Sequence, residues 1–403
     1  MLHTPTLFVG IDVAKKDFFV CVLDDQRQVL HSSALPMERE GFDKLLTLLS
    51  IYPKESLVVG LESTGGYHHH LFRFLTSQSF RTFVLNPLQT RTFSRLSLRK
   101  TKTDSIDAHH IALFLLSQYH SLEKPFRHPC PELRSLTRYR EKVVTLIAMV
   151  KNLLEDAIFD CFPEILEYTT GYPKSLLSLL LAFPSATAIQ KASESSLEAF
   201  FPPNKRGRKS RLSITKIKEL ASSSIASPDS AEENVLQNII SQLFFLQEHL
   251  EKLDAHIQSL ALQAFPTEIQ ILTSVPGIGL VGAATFLAEI GSISRFENYK
   301  KLIAYAGLDP AIYQSGQSST TGHISRRGNR HLRRILFLLA RSVRRFVPAF
   351  GEYFNLKFAQ SRVAKKANLC VAHKLLRLLY AMLSHQTTFD PFRLTSFPQE
   401  VNL

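Results

Sequence analysis

Four acidic residues occur where carboxylates could act together on a phosphate group. Asp12 lies in the middle of an apolar, strand-forming run, and Glu62 ends the apolar run 56–61. Asp104 and Asp107 are three residues apart at the start of a helical segment, so both project from one helix face. Carboxylate oxygens are preferred ligands of Mg²⁺, which polarises a phosphodiester and stabilises the leaving oxygen. The set predicts magnesium-dependent phosphodiester chemistry.

Each acid taken alone also has a structural explanation. Carboxylates at strand ends and in first helix turns are commonly solvated, and Asp104 would favour the partial positive charge of a helix N-terminus. Asp12 fits this explanation poorly, because a charged group on an apolar strand costs free energy unless it has a partner.

Hydrophobic patterning puts these acids on an α/β framework. Apolar, β-prone runs predict strands over 7–13, 18–23, 29–33, 56–61 and 81–85. Helical spacing predicts helices over 38–50 and 67–77, and Thr103 is the expected N-cap of a helix that carries Asp104 and Asp107. An antiparallel meander followed by alternating helix and strand is typical of a ribonuclease-H-like sheet and not of a doubly wound one.

A hydroxyl-rich segment followed by arginines is the second chemically distinctive region. We expect the segment 313–322 to be a polar loop, with Ser315, Ser318, Ser319 and Ser325 as possible nucleophiles in or just after it. Ser315 is weakly favoured, because Gly316 frees the backbone beside it. Five arginines follow within nine positions: Arg326, Arg327, Arg330, Arg333 and Arg334. Guanidinium groups suit phosphate oxygens and would stabilise charge during attack on phosphorus. The alternative is a solvated basic helix face.

The segment from Gly277 to Gly282 fits the G-x-G-x-x-G dinucleotide pattern, with Glu297 downstream. Glu297 does not end an apolar strand, however, and no βαβ units follow. A helix–hairpin–helix is the better interpretation, in which Gly277 and Gly279 let backbone N–H groups approach a phosphate. A glycine-rich helix connection without function is the alternative.

Composition narrows the class of protein. Among 403 residues, 48 Lys and Arg against 35 acids give a net charge of +13, which favours nucleic acid as partner, with a membrane surface second. Apolar stretches such as 143–150 fall far short of the roughly 20 residues that span a bilayer. The four cysteines form no C-x-x-C, and the N-terminus has no secretion signal. We expect a cytoplasmic protein with no membrane partner.

The rest of the chain is predicted to be mainly helical. A long helix over 132–158 is followed by apolar a and d positions from Leu236 to Leu260, typical of a coiled coil. Its partner could be a second chain or the 132–158 helix. The basic, Ser-rich insertion at 200–230 could contact nucleic acid or serve as a linker. We expect three domains, at 1–125, 126–265 and 266–403.

Several motifs together resemble a known family, the DEDD transposases of bacterial insertion sequences, which are bridge-RNA-guided serine recombinases. The resemblance covers nearly the whole chain except a poorly matched middle around 170–230. It rests on Gly10-Ile11-Asp12-Val13-Ala14-Lys15, Glu62-Ser63-Thr64-Gly65, Asn86-Pro87, Lys102-Thr103-Asp104-Ser105-Ile106-Asp107-Ala108, Pro276-Gly277-Ile278-Gly279, Ala306-Gly307-Leu308 with Pro310, Ser315-Gly316, and Arg327-Gly328-Asn329 with Leu332-Arg333. Arg326-Arg327 departs from the Ser-Lys that is common in the family.

The resemblance implies specific roles. The acids Asp12, Glu62, Asp104 and Asp107 would be the Mg²⁺-binding tetrad of a RuvC-like domain. Ser315 would be the nucleophile of a C-terminal transposase domain and form a covalent phosphoserine link to DNA. The active site would then be composite. The basic residues, with Lys100 and Lys102 among them, would contact nucleic acid.

The resemblance also implies the partners. These are donor and target DNA and a structured non-coding guide RNA, bound by homodimers that assemble into tetramers at the bacterial nucleoid. A structure-selective endonuclease of the Holliday-junction resolvase kind is the alternative enzyme, which would need the four acids but not Ser315. A nucleic-acid-binding protein without catalysis is the third possibility, and it leaves Asp12 unexplained.

Overall fold

The computed structural model describes residues 5–63, 66–94, 103–122, 128–168, 171–201, 213–315, 318–324 and 327–394, with the backbone alone for 310–323. The chain divides into two compact units, Met1–Arg127 and His128–Leu403. The first is a mixed α/β unit built on a five-stranded sheet, and the second is mostly helical. No helix in these described ranges is long and apolar enough to cross a membrane.

The N-terminal unit follows the predicted order of strands and helices. Its strands are β1 (Leu7–Val13), β2 (Asp17–Asp24), β3 (Val29–Pro36), β4 (Leu57–Glu62) and β5 (Arg81–Leu85). Its helices are α1 (Arg39–Ser50), α2 (His68–Ser77), α3 (Pro87–Ser94) and α4 (Asp104–Gln118). The predicted cap is confirmed, since the Thr103 hydroxyl accepts a hydrogen bond from the Ile106 N–H. Helix α3 was not predicted; Asn86 starts it by accepting from the Leu88 N–H.

The sheet has the strand order β3-β2-β1-β4-β5. Strands β1, β2 and β3 form the predicted antiparallel meander, whereas β4 and β5 run parallel to β1. Odd-numbered residues of β1, such as Val9 and Ile11, pack with α1 and α2 residues on one face. Even-numbered residues point to the other face, because successive side chains alternate across a strand. Phe8 accordingly packs there against α4 residues such as Ile111.

Two glycines let α4 lie unusually close to the sheet. A Cβ atom on Gly10 of β1 would overlap the backbone of Ala108 and Ala112 in α4. A Cβ atom on Gly60 of β4 would lie 2.8 Å from Cδ1 of Leu115. Gly10 therefore meets helix backbone, which cannot move aside alone, whereas Gly60 meets the end of a flexible side chain. The absence of both side chains fixes the distance between α4 and the strands that carry Asp12 and Glu62.

We expect Gly10→Ala to destabilise the protein by about 3 kcal/mol or more, at the upper end of the cost of overpacking a core. Gly60→Ala is the matched control and should cost about 1 kcal/mol, since the Leu115 side chain can rotate. Urea unfolding followed by circular dichroism measures both values. Equal losses for the two variants would contradict the close helix–sheet approach at Gly10.

The second unit contains twelve of the helices found in the described part of the chain. They are α5 (Pro131–Cys161), α6 (Lys174–Ala182), α7 (Ala186–Lys191), α8 (Glu194–Glu198), α9 (Ile214–Ser222), α10 (Ser230–Ala264), α11 (Pro266–Thr273), α12 (Leu280–Ile290), α13 (Tyr299–Ala306), α14 (Arg330–Phe346), α15 (Pro348–Ser361) and α16 (Ala364–His385). One hydrophobic core contains residues from every helix between α6 and α9 and from parts of α5 and α10. A larger core contains residues from every helix between α11 and α16 and from the remaining parts of α5 and α10.

The long helices α5 and α10 pack along each other within one chain. Leu236 and Leu243 at predicted a positions are buried in one core, and Leu253 and Ile257 are buried in the other. The Arg140 guanidinium also donates two hydrogen bonds to the Asp254 carboxylate across the pair. Of the two partners considered for α10, the structure shows the intramolecular one. A coiled-coil seam between chains stays a prediction.

The segment around Ser315 differs from the prediction of a polar loop. Residues Pro310–Ser315 (β6) and Ser318–Ile324 (β7) form an antiparallel two-stranded hairpin. The sequence signal that we missed is Gly316-Gln317, a two-residue turn signature between runs that contain β-branched and aromatic residues. The prediction of a loop was therefore wrong. It relied on the many hydroxyl side chains of the segment and neglected the β propensity of its β-branched and aromatic residues.

Candidate active site

Asp12 and Glu62 lie side by side at the carboxyl ends of two parallel strands. Asp12 is the sixth of the seven residues of β1, nearer the strand end than predicted, and Glu62 is the last residue of β4. The parallel register pairs Ile11 with Leu61, so Asp12 is next to Glu62. Asp12 is two residues from Gly10, and Glu62 is two residues from Gly60. Since alternate residues of a strand face the same side, both side chains point towards α4.

Helix α4 brings the other two acids to the same place. Asp104 is its first residue and Asp107 lies in its first turn, while Ala108 packs directly on Gly10. The close approach of helix and sheet thus positions the N-terminal turn of α4 over the strand ends. The structure brings together the four acids that the sequence singled out.

Their proximity is visible in the ionisation of Asp12. Burial and the negative charges of Asp107, Asp104 and Glu62 raise the pKa of Asp12 from 3.8 to about 6. All three neighbouring carboxylates therefore act on Asp12 through space. A cluster of this kind is unfavourable when fully ionised, and a cation placed among the carboxylates would relieve the repulsion.

The donor set is suited to a divalent metal. Four carboxylates supply hard oxygen ligands, and the raised pKa of the half-buried Asp12 is the electrostatic signature of an anionic cluster. Within the described ranges, however, no three His, Cys, Asp or Glu side chains stand in an arrangement that could hold a metal ion. The acids are neighbours, and to hold one ion their carboxylates would have to turn towards a common point.

Sequence reasoning missed one residue beside this cluster. The Thr90 hydroxyl, in α3, donates a hydrogen bond of 3.0 Å to Oε2 of Glu62, and Thr90 is buried. This contact orients the Glu62 carboxylate. The missed signal was the helix that follows Asn86-Pro87, because a proline at the first helical position is a common helix start.

Ser315 lies in the second unit, as the last residue of β6. In the hairpin register it pairs with Ser318, the first residue of β7. The candidate nucleophile is therefore held at the tip of a strand pair and not in an irregular loop. Ser325 lies outside the described residues.

The candidate basic contacts have different surroundings. Arg327 and Arg330 are exposed. In contrast, Arg333 donates a hydrogen bond of 2.9 Å to the carbonyl oxygen of Ala306, and Nε of Arg334 lies 3.4 Å from a Glu141 carboxylate oxygen. Lys100, Lys102 and Arg326 fall outside the described residues. Nucleic-acid contact stays a prediction for all of them, and Arg333 and Arg334 also have structural roles.

The glycine-rich segment connects two helices, α11 and α12. This arrangement fits both the helix–hairpin–helix interpretation and the helix connection without function, so the phosphate contact stays a prediction. Gly277 has a φ of +96°, and a Cβ atom there would lie 3.0 Å from the Val343 backbone, so its conformation and packing both require glycine. Gly279 is the exposed N-cap of α12 with open space where a Cβ would stand. Of the two, Gly279 is the one whose backbone a phosphate could approach.

Two family models match this chain, and each covers one set of candidate residues. Residues 9–163 match the transposase family model of DEDD IS110 type, and this range contains all four acids. Residues 269–355 match the model described as transposase, IS116/IS110/IS902 family, and this range contains Ser315 and the arginine run.

Curated proteins are similar along almost the whole chain. An insertion element IS110 protein of 43.6 kDa from Streptomyces coelicolor is 28% identical over 95% of this chain and 95% of its own length. The pilin gene-inverting protein of Moraxella bovis is 25% identical over 95% of this chain and 97% of its own length. With both family models matched in the expected order, the chain belongs to the IS110-type DEDD transposases, enzymes that act on DNA.

Proposed function

We propose that this protein cleaves and exchanges DNA strands during movement of a mobile element, and that Mg²⁺ held by the four acids assists the reaction. The observation that carries the proposal is the placement of Asp12 and Glu62 at the ends of neighbouring parallel strands, beside the first turn of α4 with Asp104 and Asp107. The raised pKa of Asp12 accords with this placement. The strands of the sheet lie in the order β3-β2-β1-β4-β5. This strand order supports a ribonuclease-H-like, RuvC-like arrangement. When bound, the metal would polarise the scissile phosphate.

Ser315 is the proposed nucleophile. Its hydroxyl oxygen would attack phosphorus, form a phosphoserine bond and release a DNA hydroxyl. The position at the end of β6 supports this role, because the hairpin register fixes the place of the Ser315 backbone. The arginine run downstream, with Arg327 and Arg330 exposed, supports phosphate contact.

The proposed partners are donor and target DNA and a structured guide RNA, bound at the nucleoid in the bacterial cytoplasm. The net charge of +13 supports a polyanionic partner. Assembly of homodimers into tetramers is supported by an exposed apolar stripe on α5. Leu146, Met149 and Leu153 are 48–57% exposed at helical spacing on that helix.

The assay that tests the function is denaturing electrophoresis of protein incubated with RNA, Mg²⁺ and labelled DNA. We expect a shifted DNA band that protease treatment removes, because a phosphoserine link survives denaturation. Clean nicks without any adduct would instead favour the resolvase-like endonuclease, in which a metal-activated water attacks phosphorus and Ser315 has no role.

The arginines provide a separate test of nucleic-acid binding. Arg330→Gln should weaken binding and lower the slope of log affinity against log salt by about 0.9 for one lost duplex phosphate contact. Arg333→Gln is the comparison. We expect it to lower the free energy of unfolding, because it removes the hydrogen bond to the Ala306 carbonyl oxygen. Its effect on the salt slope should be smaller than that of Arg330→Gln. Salt titrations by fluorescence anisotropy measure the slopes. An unchanged slope for Arg330→Gln would assign that residue to a solvated helix face.

A further inference from the structure

A fully buried carboxylate lies where the hairpin β6–β7 joins the helical core. The Glu289 side chain, near the end of α12, has no exposed surface. The Arg138 guanidinium donates two hydrogen bonds to it, of 2.7 and 2.8 Å. Burial alone would raise the pKa of Glu289, but hydrogen bonds from Arg138 and Asn329 outweigh burial and hold the pKa below its usual value. The group is therefore a buried carboxylate kept ionised by its partners.

Asn329 connects this carboxylate to the chain that follows the hairpin. Its Nδ2 donates to Glu289 Oε2 at 2.7 Å, and its Oδ1 accepts from the backbone N–H groups of His331 and Leu332. Asn329 is thus the N-cap of α14, and its side chain orientation is set by Glu289. Its own backbone N–H donates to the Tyr305 carbonyl oxygen at 2.7 Å.

Tyr305 connects the same carboxylate region to the chain that precedes the hairpin. Its hydroxyl donates to the Glu289 carbonyl oxygen at 3.2 Å and lies 3.3 Å from Asn329 Nδ2. The backbones of Gly307 and Gly328 are also in close contact, since a Cβ atom on Gly328 would overlap the Gly307 nitrogen. The two ends of the segment 308–328 are therefore joined by polar contacts around one buried carboxylate.

A two-stranded hairpin is marginally stable in water, so its direction depends on how its base is attached. Leu308 is buried in the large helical core and Ile324 packs against that core. These apolar contacts hold the base of the hairpin against the core, but they are non-directional and do not fix the angle between the hairpin and the core. Hydrogen bonds of defined geometry do fix angles.

We propose that Arg138, Glu289, Tyr305 and Asn329, here called the hairpin anchor, are positioning residues that aim the β6–β7 hairpin and with it Ser315. This inference rests on the proposed role of Ser315. A buried ion pair contributes little net stability compared with apolar side chains of similar size, which leaves a geometric role as the explanation for its presence. A shift of about 1 Å in a reacting group can cost about a hundredfold in rate.

The test compares Glu289→Gln with Asp254→Asn. The Asp254→Asn variant breaks the ion pair between Arg140 of α5 and Asp254 of α10. This pair includes the same helix α5 but none of the residues that contact the base of the hairpin. Both variants should lower the melting temperature. Only Glu289→Gln should also speed hydrogen exchange of peptides from 308–324 and lower the single-turnover rate of adduct formation by about tenfold or more at saturating DNA. Tyr305→Phe is the milder variant if Glu289→Gln does not fold.

Each result bears on the anchor. Unchanged exchange of 308–324 in the folded variants would overturn it, as would equal effects of Asp254→Asn on that segment. Faster exchange with an unchanged single-turnover rate would show that the anchor holds the hairpin without positioning a nucleophile, and would also overturn the proposal. A wild-type protein that never forms an adduct would instead defeat the proposed function, and the exchange result would still decide whether Glu289 holds the hairpin.

Discussion

Replacement of Ser315 by alanine should abolish the covalent protein–DNA adduct and, with it, strand cleavage. The lost group is the proposed attacking oxygen, so the expected reduction in rate is about 10⁴-fold or more, comparable to removal of a nucleophile in other enzymes. The fold and nucleic-acid binding should be unaffected, because a single hydroxyl is removed at the end of β6. Denaturing electrophoresis measures the adduct, and the melting temperature confirms folding.

Ser318→Ala is the matched control for this variant. Ser318 is the register partner of Ser315 across the hairpin, so the same atom is removed at the same tip on the opposite strand. We expect adduct formation to survive this change. If Ser315→Ala still gives a protease-sensitive shifted band and Ser318→Ala does not, the nucleophile is Ser318, and the direction of the hairpin tip must be reconsidered.

The sequence was most informative where local chemistry decides the structure. Apolar, β-prone runs predicted all five strands of the sheet, and Thr103 was confirmed as the N-cap of α4. These features depend on neighbouring residues along the chain. The acids could be located for the same reason, since strand ends and first helix turns are local features.

Long-range packing was not predictable in the same way. Gly10 belongs to a motif that resembles the family's. Its physical role is to leave space for the backbone of α4, and this role is apparent only when the helix is packed on the sheet. Glu289 gave no signal because its partner Arg138 is 151 positions away. The one available clue was the spacing of Arg134, Arg138 and Glu141 on a single face of α5, since all three make ion pairs with distant residues.

The acidic cluster predicts opposite effects of one substitution on stability and activity. Asp12→Asn should abolish Mg²⁺-dependent cleavage, because it removes one of the four charged groups proposed to hold the metal. In metal-free protein at pH 7–8, the same change should raise stability by roughly 1–2 kcal/mol, a value reduced from the full pKa shift because the carboxyl group is partly exposed. A residue with a purely structural role would not give this combination.

The pH dependence of that gain follows from the direction of the shift. The folded protein holds the Asp12 proton more tightly than the unfolded chain, with a pKa of about 6 against 3.8. Stability from this group is therefore fully present below pH 3.8 and is lost as the pH rises to about 6, after which the ionised carboxylate carries a constant penalty. The advantage of Asp12→Asn should accordingly be full above pH 6 and vanish towards pH 4.

Magnesium supplies the final arm of this experiment. Mg²⁺ should raise the melting temperature of the wild type more than that of Asp12→Asn, because ligand binding to the folded state stabilises it and the cluster with Asp12 carries more negative charge. Thermal melts at pH 7.5 with and without Mg²⁺ measure the difference. Equal Mg²⁺ effects on the two proteins, together with retained cleavage by Asp12→Asn, would show that the four acids repel one another without serving a metal, and the catalytic carboxylates would have to be sought elsewhere in the chain.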